Sequence, residues 1–170
     1  MLLQLKPLFM GERESLPIDT ELDFSGLEWQ GDYPFRQPVR VKGAVALTAE
    51  IVMLRARVSY VFGGRCDRCM EEFQDERELD VEHILVTSLE NGDEGDFVLI
   101  DNYQLPLDEL VEADLILSLP FKNLCREDCR GLCAQCGANL NVNACSCQKD
   151  LTSRNPFSAL ASLLNEDEEV

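Results

Sequence analysis

The sequence predicts an α+β fold: mainly an antiparallel β meander forming a partly closed barrel or sandwich, with a helix and a C-terminal cysteine-rich module. Two observations lead there. Three central segments alternate apolar and polar residues with the two-residue period of a strand. Six of the eight cysteines fall within 23 residues near the C-terminus.

In 39–49 the apolar positions are Val39, Val41, Val45, Leu47 and Ala49, opposite Arg40, Lys42 and Thr48. In 52–62, Val52, Leu54, Ala56, Val58, Tyr60 and Phe62 share one face, with Arg55, Arg57 and Ser59 on the other. In 73–85, Phe73, Leu79, Val81 and Leu85 face Glu76, Glu78, Asp80 and Glu82 across the strand. One dry and one wet face is the pattern of antiparallel strands, and the short connections predict long hairpins. Shorter strands are expected at 2–5, 19–24 and 96–101. Closure into a barrel or sandwich would limit exposed edges. The stretches 26–37 and 88–95 are rich in Gly, Asp, Asn and Pro and read as loops.

A helix is predicted over 107–118, with Asp108 and Glu109 in its first turn and Leu107, Leu110, Val111 and Leu117 near one stripe. Pro120 ends it. A second, short helix is signalled by Asn155 as N-cap and Pro156 at the first helical position, followed by Phe157, Leu160 and Leu164. The expected division is a β-rich domain over 1–120, a cysteine-rich module over 121–154, and a short helix with an acidic tail over 155–170.

The chain has 170 residues, 45% of them hydrophobic, and a formal charge of −17. Such an acidic body repels phosphate backbones and favours basic partners. The charge is uneven, however. Between residues 121 and 154, Lys122, Arg126, Arg130, Lys149 and Arg154 outnumber Glu127, Asp128 and Asp150, which leaves a mildly basic island. Lys6 and Pro7 interrupt the apolar start before a secretory core could form, and no apolar run approaches the ~20 residues of a membrane span. A cytoplasmic protein is expected, with reduced thiols serving as metal ligands or redox groups.

The cysteines concerned are Cys125, Cys129, Cys133, Cys136, Cys145 and Cys147. Two thiolates separated by two residues, as in Cys133-Ala134-Gln135-Cys136-Gly137, can grip one zinc ion from a tight turn, and Gly137 permits the positive φ that such a turn uses. Residues 122–150 hold few large apolar side chains. Ordering them costs ~1–2 kcal/mol per residue in backbone entropy, which their apolar content cannot supply. A structural zinc ion contributes ~10–16 kcal/mol in small peptides and can. Cys133 and Cys136 form one pair; the second comes from Cys125/Cys129 or Cys145/Cys147, or all six thiolates hold two ions.

Cys66 and Cys69 lie apart, in Arg65-Cys66-Asp67-Arg68-Cys69 at the turn between two long strands. Three readings stand for them: a redox pair with thiols acidified by Arg65 and Arg68, a metal half-site or extra ligands for the C-terminal cysteines, or plain turn residues. Other catalytic groups are scarce. His83, the single histidine, is in phase with the apolar Val81 and Leu85 and reads as a packed residue; Trp29 reads as a cover for the end of the barrel. There is no Gly-rich phosphate loop, nucleophile elbow or helical carboxylate pair. No enzyme and no small-molecule substrate is expected.

Taken together, Cys66-Asp67-Arg68-Cys69 after a long hairpin, Leu119-Pro120, the run from Cys125 to Cys133, Cys136-Gly137, Asn139-Leu140-Asn141, Cys145-Ser146-Cys147 and Asn155-Pro156-Phe157 resemble the YceD family, named for large ribosomal RNA subunit accumulation. The likeness spans about residues 2–164. At 155–157 the chain departs from the acidic residue, Pro and Arg of many members. The resemblance implies a non-enzymatic ribosome biogenesis factor supporting accumulation of large-subunit (23S) ribosomal RNA. It would act by binding a basic large-subunit ribosomal protein or a pre-ribosomal particle. One alternative is a zinc protein that binds ribosomal RNA directly through Lys122, Arg126 and Arg130. Another is a thiol redox or zinc-sensing protein using Cys66 and Cys69.

Overall fold

The computed structural model describes residues 1–88 and 97–147. The expected C-terminal helix, the acidic tail, Lys149 and Arg154, and most of the 88–95 loop lie outside the described residues.

The elements run β1 (Leu2–Gln4), α1 (Lys6–Phe9), β2 (Ser15–Leu22), β3 (Val39–Thr48), β4 (Ile51–Arg65), β5 (Glu72–Val86), β6 (Phe97–Leu99), β7 (Gln104–Pro106) and α2 (Leu107–Ser118). Strands β2-β3-β4-β5-β6 form one curled half-barrel sheet, and β1 pairs with β7 in a separate two-stranded ribbon. The β2 to β5 meander is antiparallel. The exception is β6, which runs parallel to β5 along Ile84–Val86. No local residue pattern encodes this parallel pairing.

Alternation places Val39, Val41, Val45, Leu54, Val58 and Phe62 fully inside. Gly43 is in phase with them but brings no side chain, because a Cβ there would lie 2.1 Å from the Arg55 carbonyl oxygen on β4. The outward face is charged and its pairs suit the register. Arg55 sits opposite Glu82 and Arg57 opposite Asp80, with ion-pair distances of 3.0 and 2.8 Å. A slip of one residue would bury these charges. The β3–β4 turn is Ala49-Glu50, with φ of +49° and +68°. Two left-handed residues match the twist of the flanking strands, but neither is the Gly or Asn that would announce such a turn.

Loop 26–37 contributes Phe35, which is wholly buried and meets Tyr60 edge-on with ring centroids 5.5 Å apart. In α2 the buried stripe is Leu107, Val111 and Leu115, at four-residue spacing. Leu117, expected on the stripe, is 85% exposed: it falls about 200° around the helix from Leu115 at ~100° per residue. The N-terminal ammonium of Met1 pairs with Asp108 in the first turn of this helix. His83 sits half-buried beneath α2, its Nε2 2.8 Å from Asp114 Oδ2. No described helix is long and apolar enough to cross a membrane.

Candidate metal centres

The β4–β5 hairpin pairs from Val52↔Leu85 to Arg65↔Glu72 and presents Cys66 and Cys69 in the turn at its tip. There the Cys66 N–H donates to the Glu71 carbonyl at 2.9 Å, and the Met70 N–H donates to the Cys66 carbonyl at 2.8 Å. The same turn recurs in the C-terminal segment. Cys133 N–H donates to the Ala138 carbonyl at 2.8 Å, and Gly137 N–H donates to the Cys133 carbonyl at 2.9 Å. The residue after the second cysteine is left-handed in both, Met70 at φ +62° and Gly137 at φ +72°. The two Cys-x-x-Cys turns are therefore one structural unit used twice. Methionine in the position where glycine is natural hides the likeness from the sequence.

Cys66 and Cys69 do not stand apart. The eight cysteines converge in two sets of four, Cys66/Cys69/Cys125/Cys129 and Cys133/Cys136/Cys145/Cys147, and the sulfurs of each set all lie within 4.8 Å of one another. In the first set Cys66 Sγ is 3.8 Å from Cys129 Sγ, and Cys69 Sγ is 3.7 Å from Cys125 Sγ. A tetrahedron of sulfurs ~2.3 Å from a central zinc has edges of about 3.8 Å. A disulfide would bring two sulfurs to ~2.0 Å. These two sulfur pairs of the first set stand at the spacing of a four-coordinate ion, and either set could hold one.

The electrostatics agree. Burial raises the Cys66 thiol, yet hydrogen bonds from the backbones of Cys125, Cys69 and Arg68 hold it at about 6. Burial and the neighbouring sulfurs of Cys66, Cys69 and Cys129 push Cys125 up to about 12. In the second set the backbones of Cys136 and Gln135 hold Cys133 at about 6, whereas Cys136 and burial push Cys147 up to about 12. Packed thiolates repel one another, so each set cannot ionise fully by itself. A divalent cation at the centre removes that conflict.

The sets differ in setting. Cys66, Cys69 and Cys129 are 0%, 3% and 3% exposed, while Cys136 is on the surface. Contacts between the first turn and the returning chain enclose the buried set. Asp67 N–H donates to the Asn123 carbonyl, and Asn123 N–H to Asp67 Oδ2, both at 2.8 Å. Arg68 Nη1 donates to the Cys129 carbonyl at 2.9 Å, and Leu132 N–H donates to the Arg68 carbonyl at 3.0 Å. The Asn139-Leu140-Asn141 segment then ties the sets together. Asn139 Nδ2 reaches Glu71 Oε1 at 2.8 Å, and Asn141 Nδ2 donates to Cys129 Sγ at 3.3 Å. Burial opposes ionisation of Cys129, but the Asn141 amide and the Gly131 backbone lower its pKa overall.

This makes Asn141 a supporting residue for the buried set, one that sequence reasoning missed as a site residue. Removing an outer hydrogen bond to a ligand costs ~10–100-fold in metal affinity. Asn141→Ala should therefore weaken metal binding at the buried set by about tenfold or more, read with added zinc by competition against a chromophoric chelator. An unchanged affinity there would remove Asn141 from the site.

A family model for the large ribosomal RNA subunit accumulation protein YceD matches residues 54–164, from near the start of β4 past all eight cysteines. The chain belongs to the YceD family. No curated protein and no solved structure matches it. The family description implies a role in accumulation of large-subunit ribosomal RNA. Within this YceD chain the residues expected to meet RNA are partly engaged: Arg126 donates to Asn141 Oδ1 at 2.9 Å and pairs with Asp128 at 3.3 Å. The Arg130 backbone N–H also donates to Asn141 Oδ1, at 2.7 Å.

Proposed function

We propose that this chain is a non-enzymatic ribosome biogenesis factor in the cytoplasm. It supports accumulation of large-subunit ribosomal RNA by binding a basic large-subunit ribosomal protein or the surface of a pre-ribosomal particle. The family match over residues 54–164 carries the reading, and the charge of −17 favours a basic protein over bare RNA. Each set of four cysteines closes around one zinc ion. Four thiolates leave no coordination position open, so the metal supplies cross-linking rather than Lewis-acid chemistry. Its effect is to hold residues 121–147 against the tip of the β4–β5 hairpin.

Capture from growing cells tests the partner. Large-subunit ribosomal proteins should be recovered at low salt, and recovery should decline between about 0.1 M and 1 M salt, where the screening length falls from ~10 to ~3 Å. Recovery of no ribosomal component at low salt would overturn the reading.

A further inference from the structure

Fifteen residues long, β5 is paired on one side by β4 from Glu72 to Leu85, yet on the other β6 covers only Ile84–Val86. Helix α2 approaches β5 near Leu79–His83, where Asp114, Leu117 and Ser118 border the same depression. From Glu72 to Glu78 no described strand or helix pairs with the outer side. Alternate residues there turn their N–H and C=O groups outward. The other margin of the sheet, β2, is blunted by Pro17. Strand β5 contains no proline.

This open edge is strongly acidic. Glu72, Glu76, Glu78, Asp80 and Glu82 share its outward face. Arg57 and Arg55 from β4 engage Glu78, Asp80 and Glu82, while Glu72 and Glu76 form no ion pair among the described residues. Like charge repels a second copy of β5 from this edge and attracts a cationic strand. We propose that the Glu72–Glu78 edge of β5 is a docking site for a basic extended segment of a protein partner. The segment adds to the sheet as a further strand, with lysine or arginine at alternate positions against Glu72, Glu76 and Glu78. Main-chain hydrogen bonds hold it, and the carboxylates select it. The inference rests on the reading above that the partner is a basic protein, and it names where such a partner binds.

The test uses the full, zinc-loaded chain and a nine-residue peptide alternating lysine and threonine. Binding should slow amide hydrogen exchange at residues 72–78. A peptide with the same side chains but an N-methyl group on every residue should bind at least about tenfold more weakly, because neither of its edges can donate to a ladder. The exposed pair Glu72→Lys/Glu76→Lys should lose affinity to a similar degree without changing the fold. Equal affinity for both peptides, or protection located elsewhere, would reduce the effect to charge alone and overturn the site. Slow exchange at 72–78 before any peptide is added would also overturn it, by showing the edge already covered by this chain or a second copy. Capture from cells separates the two readings. If the Glu72→Lys/Glu76→Lys chain recovers ribosomal proteins as well as the parent, the edge proposal falls and the assembly role stands. If the parent recovers none, the assembly role falls, and the peptide experiment still judges the edge.

Discussion

Cys66→Ser should lower bound zinc from two ions to one per chain and destabilise the protein by at least about 4 kcal/mol, the range reached when a structural metal is lost. The sulfur it removes is fully buried and faces Cys129 at 3.8 Å. Serine is a poor zinc ligand, and its hydroxyl would be left among sulfurs without a matched partner. The larger consequence is topological. Cys66 and Cys69 hang from the sheet, while Cys125 and Cys129 arrive some sixty residues later, after β6, β7 and α2. An ion held there would close that long loop, so losing it would free the segment after Leu119 rather than one side chain. Denaturant unfolding at a fixed free-zinc concentration measures the loss. Proteolysis should cut the variant within 121–147 first. Cys136→Ser should also remove one ion, but from the exposed set, and should leave the Asp67–Asn123 contacts protected. If Cys66→Ser retained two zinc ions and the parental midpoint, the buried set would not be a metal centre.

The contrast between these cysteines shows what the chain announces locally and what it does not. Strands β3, β4 and β5 emerge from alternation to within three residues at each end, and α2 emerges over its whole length, because periodic burial writes itself into consecutive residues. β7 has three residues and α1 has four, too short to show a period. Phe35 lies in a loop rich in Gly and Pro, yet it is buried through a contact with Tyr60 far along the chain. The cysteine spacing marks pairs, and four pairs invite two tetrahedral sites. Which pairs meet depends on where α2 returns the chain, and spacing carries no record of that. The one local clue was the repeated turn. With Gly137 in one copy and Met70 in the other, composition conceals what the backbone hydrogen bonds share.

The interface between the two turns supplies the second large effect. Gly131 has φ +74°, and a Cβ on it would lie 2.9 Å from the Arg68 carbonyl oxygen, the atom that accepts the Leu132 N–H at 3.0 Å. Gly131→Ala therefore meets two penalties: ~1–2 kcal/mol for an L side chain in the left-handed region, and ~1–3 kcal/mol for overpacking against a backbone that zinc would hold in place. A loss of about 2–5 kcal/mol is expected, with faster release of zinc from Cys133, Cys136, Cys145 and Cys147 to a chelator. Gly137→Ala is the internal control. Its φ is +72°, yet nothing lies within 4 Å of the added Cβ, so only the backbone penalty applies. The difference between the variants isolates the steric term and hence the tightness with which the second turn is pressed onto the first. Equal losses at both positions would mean that the backbone around Arg68 yields to the added methyl, and that the second turn is not pressed tightly onto the first.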